Sequence, residues 1–201
     1  MKRKVVIQGI GGCNHYIAAK EFFRDDEVET IPEAFRDRQT TMVVYTPAVP
    51  SDHPQMEFFR TEGFLMEKRS QMLGHLSEGK YVMAVAGTHG KTTTSTLIAW
   101  LNQSVGAGGN AFLGGISKNF ESNLVLGEGD RLAVEADEFD RSFLRLKPDV
   151  AVITSVAADH LDIYGTYEAV VEAFGQFAAL IKQGGALVLK QGVDIPLPEG
   201  I

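Results

Sequence analysis

Short apolar, β-branched runs alternate along the chain with longer stretches of helical periodicity, and glycine or proline separates them. Lys4–Gln8, Thr41–Tyr45 and Phe64–Met66 read as strands in the first third. Helices are expected over about 15–24, over 54–62, and from a capping Ser70 to about Leu76, while 25–39 is charged and irregular. The second helix should be capped by Ser51–His53, with Pro54 in its first turn. Thr46-Pro47-Ala48-Val49-Pro50 reads as a loop, because its prolines bar regular structure. Further on, strands are expected at 81–86, 131–136, 150–154 and 186–189. A helix should run from 91 to 104. Another, over 167–181, carries Val170, Val171, Phe174, Phe177, Ala178 and Ile181 at helical spacing. The glycine- and asparagine-rich stretch 106–130 reads as loop. Alternating strand–helix units imply an α/β fold with a mostly parallel sheet and helices on both faces. The polar turn Ser77–Lys80 suggests a boundary between domains 1–79 and 80–201.

Composition narrows the class. The chain has 201 residues, 44% of them hydrophobic, enough for one large or two small packed domains. A net charge of −7 argues against nucleic acid as a partner. The single cysteine, Cys13, excludes an internal disulfide framework and a cysteine zinc site, and fits a reducing cytoplasm. No apolar run is long enough to span a membrane, and the basic Met1–Lys4 is followed by a strand and glycines rather than a signal-peptide core. The expectation is a cytoplasmic protein with no membrane partner.

The chemistry concentrates after the strand at 81–86. Gly87-Thr88-His89-Gly90-Lys91-Thr92-Thr93 joins that strand to a helix, the order needed to hold a triphosphate. Gly87 and Gly90 allow backbone N–H groups to approach an anion, and the helix N-terminus adds partial positive charge. Lys91 can reach the terminal phosphates, and the Thr92 hydroxyl can ligate Mg²⁺. The spacing is shorter than the general phosphate-loop pattern, whose first glycine position is occupied here by Val85. Carboxylates suited to Mg²⁺ follow two strands: Glu135-Ala136-Asp137-Glu138-Phe139-Asp140 and Asp159-His160-Leu161-Asp162. Near the N-terminus, Gly9, Gly11 and Gly12 follow a strand as in a Rossmann-like nucleotide turn. Asn14 stands where that pattern has its third glycine, so a purely structural turn is an equal reading.

The short loop, Glu-Ala-Asp-Glu-Phe-Asp-Arg-Ser-Phe-Leu at 135–144 and Ala-Asp-His-Leu-Asp-Ile-Tyr at 158–164 together resemble the central-domain signatures of the Mur ligase family. These are the amide-bond-forming enzymes of peptidoglycan precursor synthesis. The resemblance implies a Rossmann-like UDP-binding domain followed by an ATPase domain. In its alanine-adding branch it implies ATP-dependent joining of L-alanine to the lactyl carboxylate of UDP-N-acetylmuramate. Carried over by position, Gly87 to Thr93 hold ATP and Lys91 binds its β/γ-phosphates. Thr92 ligates one Mg²⁺, and Glu135 and His160 hold a second, so that Lys91, Glu135 and His160 are the catalytic set. Gly9, Gly11, Gly12, Thr46, Pro47, Arg69, Ser70 and Asn123 match substrate contacts. The comparison further implies that the N-terminal domain lacks an internal piece and that the C-terminal amino-acid-binding domain is absent, leaving the chain inactive alone. Ser155 stands where relatives commonly carry asparagine. Three alternatives remain open: a ligase adding a recycled tripeptide to the same sugar, a hydrolytic P-loop NTPase, and a UDP-sugar-binding fragment without catalysis.

Overall fold

The computed structural model describes residues 4–8, 31, 33–46 and 49–197. The expected helix at 15–24 and the candidates Gly9, Gly11, Gly12 and Pro47 lie outside them. The chain divides into two compact units, Met1–Met72 and Leu73–Ile201. That division falls inside a helix, a few residues before the polar Ser77–Lys80 turn.

The first unit contains a three-stranded parallel sheet in the order β1 (Lys4–Gln8), β2 (Thr41–Tyr45), β3 (Leu65–Lys68). Helix α1 (Pro54–Thr61) starts with proline in its first turn, where the missing N–H costs nothing. Its cap is His53, whose Nδ1 accepts from the Gln55 N–H at 3.3 Å. Phe59 and Phe64 meet edge to face at 5.0 Å over Val43, forming this unit's core. Helix α2 (Arg69–Ser77) follows β3 directly, so Ser70 lies within its first turn rather than capping it. The Gln71 side chain supplies an acceptor there instead, for the Lys68 N–H at 2.9 Å.

The second unit is built on a six-stranded sheet. Its strands are β4 (Tyr81–Ala86), β5 (Asn110–Ser117), β6 (Ser122–Val125), β7 (Arg131–Glu135), β8 (Val150–Ile153) and β9 (Ala186–Leu189), in the order β6-β5-β7-β4-β8-β9. All pairings are parallel except β5 with β6. The central strands alternate by two, as sheet geometry requires. Val82, Ala84, Leu132 and Val134 face a core formed with α5 (Tyr167–Ala178), whereas Ala133 faces α3 (Lys91–Ser104) through Ala99. The α/β expectation holds. The loop expected at 106–130 is instead largely the antiparallel hairpin β5–β6, pairing Ala111 with Val125 and Ser117 with Ser122. Its glycines disguise an alternation that buries Ala111, Leu113 and Val125. No helix among the described residues is long and apolar enough to cross a membrane.

Candidate functional site

Strand β4 ends at Ala86, and the turn that follows is fixed by Gly87 with φ +132°. A Cβ there would collide with the Thr154 hydroxyl and lie 2.8 Å from the Ser155 N, so neither the backbone angle nor the space admits a side chain. Gly90, at φ +87°, is the N-cap of α3 and offers no side chain to its first-turn N–H groups. An uncapped helix N-terminus behind a glycine turn leaves donors and partial positive charge for an anion.

The end of β8 braces the loop. The Ser155 carbonyl accepts from the Thr88 N–H at 3.1 Å, and its hydroxyl accepts from the His89 N–H at 2.8 Å. Thr154 donates its hydroxyl to the His89 carbonyl at 2.6 Å. Ser155 therefore has a definite part in holding the turn. A cavity of about 270 Å³ adjoins the same two residues and is also lined by Tyr167, Lys190, Gln191 and Asp194. It lies beyond the carboxyl ends of β8 and β9, the edge at which open α/β sheets take their ligands.

Lys91, the first residue of α3, points its ammonium at Glu138. Its Nζ lies 2.9 and 2.7 Å from the two carboxylate oxygens and 2.8 Å from the Gly87 carbonyl. The Glu138 side chain is 1% exposed and that of Lys91 14%. Thr92 and Glu135 both flank the Gly114–Gly115 segment of β5. The Glu135 Oε2 accepts from the Gly114 N–H at 2.8 Å, and a Cβ on Gly115 would touch the Thr92 methyl at 3.7 Å. Thr93 is exposed on α3. His160 adopts a left-handed backbone at φ +52° just before α4 (Leu161–Tyr164) and sets its ring edge to face against Phe139 at 5.3 Å. Among the described residues no three His, Cys, Asp or Glu side chains converge as a ready-made metal site. Magnesium is ordinarily held by one or two carboxylates with phosphate oxygens and waters, and a threonine hydroxyl and a carboxylate, as Thr92 and Glu135 supply, fit that donor chemistry. Asn123 is half-buried on the outer strand β6. Thr46, Arg69 and Ser70 belong to the first unit.

Sequence reasoning missed Glu138 as the partner of Lys91, although it stands in the same acidic run as Glu135. It also missed Tyr164, whose hydroxyl donates to the Glu138 carbonyl at 2.6 Å. Burial pushes the Tyr164 phenol up to about 12, with the carboxylates of Glu138, Asp137 and Asp140 adding to the rise and the Arg141 cation opposing it. A folded-state value raised above the unfolded one contributes stability that is complete below about pH 10 and is lost as pH rises toward 12. At about 1.4 kcal/mol per unit, alkaline titration followed by urea melts should show a loss of about 2–3 kcal/mol across that window. Tyr164→Phe should abolish that slope, and an unchanged slope in the variant would refute the assignment.

These features define a phosphate-loop α/β domain. The Mur ligase middle-domain profile matches residues 85–195, more than half of the chain, so the chain belongs to the Mur ligase family. It is 52% identical over 172 residues to a UDP-N-acetylmuramate–L-alanine ligase of Phocaeicola vulgatus, covering 85% of this chain and 38% of that protein. A ligase of the same name from Porphyromonas gingivalis is 51% identical over 171 residues, with the same coverage. The chain thus spans under two fifths of the length of these curated relatives. Among solved structures, the UDP-N-acetylmuramate–alanine ligase of Thermotoga maritima superposes with a TM-score of 0.65 at 27% identity, over 75% of this chain and 35% of that one. A UDP-N-acetylmuramate:L-alanyl-γ-D-glutamyl-meso-diaminopimelate ligase from Neisseria meningitides gives 0.72 at 19% identity, over 96% of this chain and 67% of that one, a likeness of fold.

Proposed function

We propose that this chain supplies the UDP-sugar-binding and ATP-binding portions of an enzyme joining L-alanine to the lactyl carboxylate of UDP-N-acetylmuramate, an early step of peptidoglycan precursor synthesis. The first unit takes the UDP-sugar through Thr46, Arg69 and Ser70, together with the glycines Gly9, Gly11 and Gly12 and Pro47. The second takes ATP on residues 87–93, with Asn123 toward the sugar. The observation that carries this reading is the glycine turn opening onto the uncapped N-terminus of α3 with Lys91 as its first residue, in a chain half identical to ligases of that name.

In the reaction, a lactyl carboxylate oxygen attacks the γ-phosphorus of ATP and ADP departs, leaving an acyl phosphate. The alanine amine then attacks the acyl carbon, phosphate leaves, and the amine gives up a proton as the amide forms. Both steps gather negative charge on phosphoryl oxygens. The uncapped N-terminus of α3 offers its first-turn amides to that charge, and Lys91 adds a full positive charge. Thr92, Glu135 and His160 are the residues that would hold Mg²⁺, which when bound neutralises charge between ATP and the carboxylate. Ser155 and Thr154 keep the turn rigid, so the N-terminus of α3 needs little rearrangement.

Calorimetric titration of the purified chain with Mg-ATP and with UDP-N-acetylmuramate tests the reading. Binding of both ligands is expected. Binding of the sugar without ATP would reduce the chain to a sugar-binding fragment. ATP turnover indifferent to the sugar would make it a hydrolase, and preference for the tripeptide over L-alanine would move it to the recycling ligases.

A further inference from the structure

The three N–H donors of the Lys91 ammonium meet three acceptors: the Gly87 carbonyl and both oxygens of Glu138. None is left over for a ligand. The carboxylate that takes two of them comes from the segment after β7 and occupies the ammonium of the lysine that opens α3, the group a bound phosphate would need. Glu138 is therefore placed as an internal substitute for phosphate.

The fold sets that placement independently of Lys91. Tyr164, 6% exposed, donates its hydroxyl to the Glu138 carbonyl, and the Arg141 N–H donates to the same carbonyl at 3.0 Å. Just beyond, Asp140 and Arg141 both adopt left-handed backbone, at φ +48° and +59°, and the Arg141 guanidinium lies 5.3 Å over the Tyr164 ring. Two successive non-glycine residues in that region are costly, and such strain persists only where surrounding contacts over-determine it. Here they hold a carboxylate against the phosphate-binding lysine.

We propose that Glu138 is the counter-ion that Lys91 exchanges for phosphate: in the empty site it satisfies the lysine, and it competes with the β/γ-phosphates when nucleotide arrives. Glu138 is thus a positioning residue that sets how tightly the loop takes a polyphosphate. The inference rests on the triphosphate reading of the loop given above.

Glu138→Gln keeps the shape and one acceptor oxygen but removes the competing charge. Calorimetry on the purified chain should show Mg-ATP and inorganic tripolyphosphate binding about five- to tenfold more tightly to this variant than to wild type, the scale of one ordinary net hydrogen bond. AMP, which lacks β- and γ-phosphates, should bind the two proteins equally, a pattern that a general loosening of the loop would not produce. Glu138→Asp, with a shortened and weakened ion pair, should fall between them, and it decides the matter if the glutamine variant does not fold. Unchanged or weaker triphosphate binding by a folded variant, in a protein whose wild type binds triphosphate, overturns the exchange and leaves the nucleotide reading standing. Failure of both wild type and variant to bind any triphosphate overturns the nucleotide reading itself, and the exchange with it.

Discussion

Lys91→Met is expected to cost the second unit about 3–5 kcal/mol of stability, quite apart from any effect on ligand binding. Methionine nearly preserves the length of the side chain but removes the cation, leaving the Glu138 carboxylate buried with its charge uncompensated. The Gly87 carbonyl loses a donor as well. The penalty should belong to the orphaned carboxylate rather than to lost packing, so the double variant Lys91→Met with Glu138→Gln should recover most of it. Urea unfolding followed by the fluorescence of Trp100, the sole tryptophan and a residue of α3, reports on this unit directly. A single variant within about 1 kcal/mol of wild type, or a double variant as unstable as the single, would show that the pair is not a compensated buried ion pair.

That pair also marks how far the sequence could be read. The strand into Gly87 and the helix from Lys91 were legible because glycine punctuates them, and β8 because its short apolar, β-branched run follows Pro148-Asp149. The acidic run after β7 was legible as a carboxylate-rich segment leaving the end of a strand. Its geometry was not, since Asp140 and Arg141, just beyond Glu138, both take left-handed backbone, and no propensity favours two such residues in succession. The α1 cap was expected within Ser51–His53, and which of the three serves turned on which residue first leaves helical angles: it is His53. The β5–β6 hairpin was hidden by glycines whose presence has a tertiary cause. Gly114 lets the Glu135 carboxylate reach the β5 backbone, and a Cβ there would overlap that carboxylate. Composition read as loop was in fact a strand cleared of side chains beside the site. The bracing of the loop by Thr154 and Ser155 joins residues more than sixty positions apart, and nothing local signals it.

The acidic segment is held to the core by Ala136, Leu146 and the Tyr164 hydroxyl as well as by the Phe143 ring, and loss of that ring gives the second large effect. Phe143 belongs to the 3-10 segment Phe139–Arg145 that follows Glu138, and its N–H donates to the Asp137 carbonyl at 2.9 Å. Its ring stacks on Phe177 at 5.0 Å and meets Phe174 edge to face at 5.3 Å, with all three side chains almost fully buried. Phe143→Ala should cost about 3–5 kcal/mol by the transfer and cavity terms together. Phe177→Ala removes a similar ring from the same cluster, but from α5 rather than from the acidic segment, and should cost about as much. The two variants should differ in where they loosen the molecule. Only loss of Phe143 detaches the segment carrying Glu138, so amide exchange at Arg141, whose N–H bonds the Glu138 carbonyl, should accelerate well beyond the global loss of stability in Phe143→Ala and only in step with it in Phe177→Ala. Equal acceleration in both variants would mean that Tyr164 and the Lys91 ion pair hold Glu138 without help from the core, and that the phenylalanine cluster stabilises the unit without shaping its site.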